Sequence, residues 1–246
     1  MVGETLELTA AARDFVASVK ADGEKAFRVL RETGTTTAFG TVGFVVRIPG
    51  EDKLVVVNDP GPWDRGTSPI PALYDLEGKR LGGGAGTRGD NRYAKLFRVR
   101  PEITVISHVH TPYVAVWGQT HRTLPVTYVA FQRHHLLKEI PIYIDRRQEE
   151  VDFIIEKIEE NPRNTAILEA NGGGTVWGKK GIREHVENII LFEEAAQLAT
   201  LSELVGGPRT YGAGVLWRNW NMTGLYEEGK ALGLVPTDDL RWNGGQ

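Results

Sequence analysis

Apolar side chains recur at intervals of three and four residues in two long segments of the chain. The first segment follows Thr9, whose hydroxyl can cap a helix, and it runs to about residue 33 with Phe15, Val19, Phe27 and Leu30 as its expected buried positions. The second segment spans 182–203. Its apolar positions are Ile182, Val186, Ile189, Phe192, Ala196 and Ala199. This spacing places them on one face, so the pattern predicts two long helices that each pack one side against a core.

Shorter β-rich segments lie between these helices. Residues 43–48 and 54–57 flank a turn-like segment and predict a hairpin, and a third strand is predicted at 72–75. The segments 58–70 and 82–91 are rich in Pro, Gly and Asp and predict loops. The remaining strands are predicted at 103–108, 140–144, 165–169 and 174–177, and the remaining helices at 91–98, 111–117 and 148–160. Such alternation predicts an α/β fold, and since we find no repeat or linker we expect one domain over 1–246.

The composition excludes several classes of partner. Of the 246 residues, 41% are hydrophobic and 25% are charged, which is typical of a globular protein. The net charge of -3 gives no electrostatic reason to expect nucleic acid or an anionic membrane as a partner. No apolar segment approaches the roughly 20 residues of a membrane helix, and the first residues do not resemble a signal peptide. We therefore expect a cytoplasmic protein whose partner is a small molecule.

Two histidines follow a β-branched run in ITVISHVHTPYVAVWG, residues 103–118. His108 and His110 are two positions apart, so both imidazoles lie on one face if this segment is a strand. Two neutral imidazoles in that position can bind one metal ion. The alternative is two unrelated histidines near a strand end. Because the chain contains no cysteine, any further ligand must be histidine, carboxylate or water.

These residues resemble the HxH segment of the class II aldolase/adducin family. The likeness continues through residues 166–201, AILEANGGGTVWGKKGIREHVENIILFEEAAQLATL, and through residues 41–61 and 71–79, which end in YDLEGK. It spans roughly residues 8–203. The resemblance implies a three-layer α/β/α domain with a mainly antiparallel central sheet, a divalent metal ion such as Zn, Mn or Fe, and a homotetramer in which residues 204–246 form a C-terminal extension near the subunit interface.

The chain departs from the family pattern at several sites. The family's NHG turn is replaced by Asn171, Gly172 and Gly173, so a third histidine ligand is absent. The family's acid/base carboxylate, counted back from the Arg-Pro at 100–101, falls at Gly89, one residue before Asp90. Residues 41–43 are TVG instead of SGN, and TRGDN at 87–91 replaces a PSS-type loop. The family's SGN and PSS-type loops would grip a phosphate, and this chain has neither of them. We therefore expect a non-phosphorylated substrate.

Other residues are candidates for the remaining roles. We predict Glu169 as a third metal ligand, which would give a 2-His-1-carboxylate set of the kind used by non-haem iron. Its alternative role is an ion pair at a strand end. Asp90 is the alternative carboxylate ligand. Asp90 and Tyr113 are also predicted as catalytic acids or bases, although Asp90 could instead cap the following helix. Two further candidate ligands, His134 and His135, are more typical of a surface, and His121 and His185 are expected to be structural.

Two more features have ordinary explanations. Residues 84–89, GAGTRG, match the dinucleotide fingerprint, but neither a hydrophobic strand directly before them nor an acidic residue about 20 positions later completes a βαβ unit. Trp217, Trp220 and Trp242 are predicted to pack in a core or a subunit interface. The resemblance adds a third role for them, an aromatic wall for a flat substrate.

Three functions remain open. The first is a metal-dependent lyase that cleaves a C–C bond by aldol cleavage or decarboxylation of a carbonyl or carboxylate substrate. The second keeps the fold and is a non-haem iron oxygenase that performs oxidative decarboxylation, as in the aminocoumarin-pathway relatives. The third is a non-catalytic, adducin-like interaction module. Retention of His108 and His110 argues against the third, because a decayed site has no physical reason to keep two imidazoles together.

Overall fold

A computed structural model describes residues 8–40, 42–84, 86 and 92–236. The helices are α1 Ala10–Glu32, α2 Ala94–Val99, α3 Pro112–Gly118, α4 Val129–His134, α5 Glu150–Glu160, α6 Ile182–Glu203, α7 Ala213–Thr223 and α8 Tyr226–Ala231. The strands are β1 Gly43–Arg47, β2 Lys53–Asn58, β3 Ala72–Asp75, β4 Arg80–Gly83, β5 Val105–Val109, β6 Leu124–Pro125, β7 Glu139–Ile140, β8 Ile142–Tyr143, β9 Ala166–Glu169 and β10 Gly174–Gly178. None of the helices in these ranges is both long and apolar enough to cross a membrane.

One mixed sheet forms the centre of the fold. Its strands follow the order β4-β3-β2-β1-β5-β10-β9-β8, and every neighbouring pair is antiparallel except β8 and β9. Helices α1, α3 and α6 cover one face and share an apolar core with it, whereas α2 and α5 cover the other. The predicted three-layer fold with a mainly antiparallel sheet is therefore confirmed.

Local signals account for the long helices. The Thr9 hydroxyl accepts a hydrogen bond from the Ala12 N–H at 3.1 Å and so caps α1, as the sequence predicts. Buried Val19, Phe27 and Leu30 lie on its inner face. The long helix predicted at 182–203 has the same bounds as α6.

Several segments differ from the sequence prediction, among them 118–139, for which no element is predicted and which contains β6 and α4. The glycine-rich segment predicted as a loop from residue 82 begins inside strand β4, which pairs with β3 across a register shift. The strand predicted at 140–144 is divided at Pro141, because β7 pairs with β6 in a separate two-stranded sheet and β8 pairs with β9. Residues beyond 203, for which no element was predicted, contain α7 and α8.

The region after α6 packs onto α4. Trp220 is buried, and its indole N–H donates to the backbone carbonyl of Gln132 at 2.9 Å. Trp217 is exposed, and Trp242 lies outside the described residues. The predicted core role therefore holds for Trp220 but not for Trp217.

Candidate metal centre

His108 and His110 face each other at the end of β5. Their Nε2 atoms are 3.2 Å apart and their ring centroids 4.8 Å apart. Two ligand nitrogens about 2.0–2.1 Å from one tetrahedral zinc ion would be about 3.3 Å apart, so the observed separation fits two ligands of one ion. The i, i+2 spacing on a strand produces this arrangement.

A cross-strand hydrogen bond orients the ring of His108. Thr175 on β10 lies directly opposite His108 in the sheet register, and its Oγ1 is 3.1 Å from His108 Nδ1. The same hydroxyl donates to the carboxylate of Glu150, which also accepts from the hydroxyl of Tyr93 at 3.1 Å. Because Thr175 gives its proton to Glu150, it accepts one from Nδ1 of His108. The Nε2 lone pair is then free for a metal ion.

His108 is neutral at physiological pH. Burial, supported by the positive charge of Arg92, lowers the pKa of His108 to about 4. Its 3.4 Å contact with Glu169 Oε2 is therefore not an ion pair, since the imidazole carries no charge. His108 Nε2 and Glu169 Oε2 thus direct lone pairs toward the same space. A cation bound there would be coordinated by both atoms.

A tight turn brings Glu169 to the histidines. Glu169 ends β9, and its backbone N–H and C=O bond to Gly173 O and Gly172 N at 3.0 Å each. Gly173 must be glycine, because a Cβ there would lie 1.9 Å from the carbonyl oxygen of Val109. The turn thus lies directly against the end of β5.

Arg146 holds the other oxygen of the Glu169 carboxylate. Its Nη1 is 2.5 Å from Glu169 Oε1, and its Nη2 donates to the carbonyl of Ala170 at 3.2 Å. Within the part of the chain that the structure describes, no three His, Cys, Asp or Glu side chains stand in a complete metal-binding arrangement. The two histidine nitrogens are therefore already spaced as two ligands of one ion. The Glu169 side chain would have to change its conformation to become the third ligand.

The remaining predicted residues have varied positions. Asp90 lies outside the described residues. The backbone N–H of Tyr113 donates to Glu193 at 2.8 Å, and its ring packs against the core; within the described chain its hydroxyl bonds to neither His108 nor His110.

The other four histidines are not close partners of this pair. His134 is exposed, and His121 contacts Asn171 Oδ1 at 2.6 Å. His185 is fully buried beside Ser107, as expected for a structural residue. His135 is also buried and stacks on Phe131, so the expected surface position of His135 is wrong.

Several residues near the site were missed by the sequence analysis. They are Arg92, Tyr93, Arg146, Glu150 and Thr175. Only Thr175 leaves a local signal, since it is the one polar side chain in the strand GTVWG and is completely buried. The others lie in turns or at the beginnings of helices, where the local sequence does not show which residues they contact.

Comparisons with known proteins agree with this fold. The profile of a family described as "Class II Aldolase and Adducin N-terminal domain" matches residues 25–200, more than half of the chain. No curated protein sequence matches the chain.

Several solved structures share the fold. An L-fuculose 1-phosphate aldolase superposes with a TM-score of 0.69 at 17% identity, covering 84% of this chain and 96% of that one. The L-fuculose 1-phosphate aldolase from Glaciozyma antarctica PI12 gives 0.67 at 19% identity, covering 93% and 92%. YgbL from Klebsiella pneumoniae gives 0.65 at 17% identity, covering 82% and 98%. The superpositions show a common fold, but at identities this low they do not identify the substrate.

Proposed function

Because the chain belongs to the class II aldolase and adducin family, we propose that it is a divalent-metal-dependent lyase for a non-phosphorylated carbonyl or carboxylate substrate. The observation that carries this proposal is the convergence of His108 Nε2, His110 Nε2 and Glu169 Oε2, with separations of 3.2 and 3.4 Å from His108. Members of the family are typically enzymes, and this convergence is the part of the chain best suited to chemistry.

His108, His110 and Glu169 would hold the ion, which can be Zn, Mn or Fe. A divalent ion supplies polarisation of a carbonyl or carboxylate oxygen and stabilises negative charge that develops when a C–C bond breaks. Thr175 and Glu150 keep the His108 ring in the tautomer that a ligand needs. Arg146 occupies one oxygen of Glu169 and leaves the other beside His108.

Proton transfer needs an acid near the substrate. Of the two predicted acids, we favour Asp90 over Tyr113, because the described contacts of Tyr113 are its backbone bond to Glu193 and its packing against the core. Replacing Asp90 by Asn should then lower turnover and leave metal content unchanged.

A second function is favoured by one specific observation. With Gly172 in place of the family's histidine, the candidate ligand set is two histidines and one carboxylate, which is the set of many non-haem iron oxygenases. Iron in the purified protein together with oxygen consumption during turnover would favour an oxidative decarboxylation. Zinc or manganese with turnover in the absence of oxygen would favour the lyase.

Metal analysis of purified variants tests the proposal. Wild-type protein should bind about one equivalent of metal, and His108→Ala and His110→Ala should each lose it together with activity. His121→Ala is the matched control, because His121 contacts Asn171 and not the histidine pair. Full metal content in both His108→Ala and His110→Ala would show that the centre is elsewhere.

We also propose that the protein is a cytoplasmic homotetramer of one domain over 1–246. Residues 204–246 would form an extension near the subunit interface. The support is the family relationship and the exposed apolar side chains after α6, among them Leu204 and Val205.

A further inference from the structure

A small cavity lies beside Glu169, the candidate carboxylate ligand. Its volume is about 180 Å³, and its lining includes Arg92, Arg146, Glu150, Glu169 and Tyr143. Glu169 connects the cavity to His108 directly, and Glu150 connects it through Thr175. A molecule in this cavity would therefore lie next to the candidate metal ligands.

Both guanidinium groups in the cavity are held in place. Arg146 is fixed by Glu169 and the carbonyl of Ala170, and its guanidinium carbon lies 5.7 Å from the centre of the Tyr143 ring. The guanidinium carbon of Arg92 lies 4.7 Å from the centre of the Tyr93 ring, and its Nη1 is 3.5 Å from Glu150 Oε2. The side chains of Arg92 and Arg146 nevertheless keep 41% and 57% of their surface exposed. Both groups thus have protein contacts and remain accessible to a ligand.

The charge balance of the cavity favours an anion. Glu150 and Glu169 are the buried carboxylates of the lining, and Arg92 and Arg146 neutralise them one for one. With the exposed Glu149 at its rim included, three carboxylates and two guanidinium groups give the lining a charge of about -1, and a divalent ion at the histidines would change this to about +1.

We infer that Arg92 and Arg146 form the recognition site for a carboxylate of the substrate, which makes the substrate a small 2-oxo or 2-hydroxy acid. This inference rests on the proposed function and names its substrate class. A guanidinium presents a planar fork of N–H donors that matches a carboxylate. Glu169 lines the same cavity and lies 3.4 Å from His108 Nε2, so an oxygen on the carbon next to the carboxylate would face an ion held by these ligands.

A carboxylate suits this cavity better than a phosphate. A phosphate brings up to two negative charges and a tetrahedral shape close to the buried carboxylates of Glu150 and Glu169, whereas a carboxylate is planar and carries one charge. The cavity is also below the roughly 300 Å³ at which sites for drug-sized ligands begin.

Calorimetric titration of metal-loaded protein with pyruvate tests the inference. Pyruvate should bind at least tenfold more tightly than its neutral amide, pyruvamide, and than inorganic phosphate. Arg92→Gln and Arg146→Gln, each loaded with one equivalent of metal before the titration, should weaken pyruvate binding about ten- to hundredfold. Arg147→Gln is the matched control and should bind like wild type, since Arg147 pairs with Asp145 and its side chain is 90% exposed.

Lysine variants distinguish recognition of the pyruvate carboxylate from simple neutralisation of Glu150 and Glu169. Arg92→Lys and Arg146→Lys keep the positive charge that neutralises Glu150 and Glu169 but lose the planar fork. We expect both to weaken pyruvate binding at least fivefold. Wild-type pyruvate affinity in both glutamine variants would show that the arginines serve only Glu150 and Glu169, and wild-type affinity in both lysine variants would show that the planar fork is not used. Either result would overturn the inference.

Two further results would overturn it. One is the absence of pyruvate binding to wild-type protein, and the other is tighter binding of phosphate than of pyruvate. The same experiments distinguish a failure of the carboxylate site from a failure of the proposed metal centre. If wild-type protein takes up no metal but binds pyruvate in an Arg92- and Arg146-dependent way, the metal centre fails and the carboxylate site stands.

Discussion

The carboxylate of Glu169 occupies the space that a side chain at Gly172 would need. A Cβ added at Gly172 would lie 2.5 Å from Oε2 of Glu169 and 3.0 Å from its carboxyl carbon. Gly172 is the position at which the family's turn carries histidine. A histidine side chain at position 172 and the present placement of Glu169 beside His108 therefore exclude each other.

This relationship predicts a strong coupling between positions 169 and 172. Gly172→Ala should lower the free energy of unfolding by about 1–3 kcal/mol, because Glu169 is buried and held by Arg146. The same substitution in a Glu169→Ala background should cost much less. Urea denaturation of the four proteins measures the coupling. Gly82→Ala is the control, since its added methyl group would meet nothing within 4 Å; equal costs in both backgrounds would contradict the prediction.

Removal of the Thr175 hydroxyl should weaken metal binding. Thr175→Val keeps the side-chain shape but leaves Nδ1 of His108 without its acceptor and Glu150 without one donor. We expect metal affinity to fall about ten- to hundredfold, measured by competition with a chromogenic chelator. Thr104→Val is the matched control, because the buried Thr104 hydroxyl has no hydrogen-bond partner among the described residues. Unchanged affinity in Thr175→Val would exclude an orienting role.

Buried His185 should make the protein less stable in mild acid. Burial lowers its pKa from 6.5 to about 3, so between these values the unfolded state binds a proton that the native state does not. Its contribution to stability is complete above pH 6.5 and is lost as the pH falls toward 3, by up to about 1.4 kcal/mol per pH unit.

The variant His185→Gln isolates this contribution. Glutamine can still bond to Ser107, which lies 2.9 Å from His185 Nε2, but it does not titrate. When the pH is lowered from 7 to 5, the unfolding free energy of wild type should fall by about 1 kcal/mol or more relative to that of His185→Gln. A difference that stays constant over this range would contradict the assignment.

The oligomeric state can be tested through the residues that follow α6. At micromolar concentration, light scattering should give four times the chain mass of 27.2 kDa. Leu204 and Val205 are 82% and 86% exposed, so a Leu204→Lys and Val205→Lys double variant should reduce that mass if the extension lies at the interface. Val99→Lys, at the end of α2 on the opposite face of the sheet, serves as control. A monomeric wild-type protein would refute the tetramer.

The sequence determined those features that depend on neighbouring residues. The three- and four-residue spacing fixed α6, the Thr9 hydroxyl fixed the start of α1, and the i, i+2 spacing placed His108 and His110 on one side of β5. Each of these signals lies within a few positions along the chain, and helix and strand periodicity is enough to interpret it.

The tertiary structure decided what surrounds the histidines. Glu169 and Thr175 reach His108 only because β10 pairs antiparallel with both β5 and β9, which brings residues more than 60 positions apart into contact. Arg92 and Arg146 lie in turns, and their approach to Glu150 and Glu169 depends on how α2 and α5 pack on the sheet. Such contacts are set by strand register and layer packing, which no local pattern of residues records.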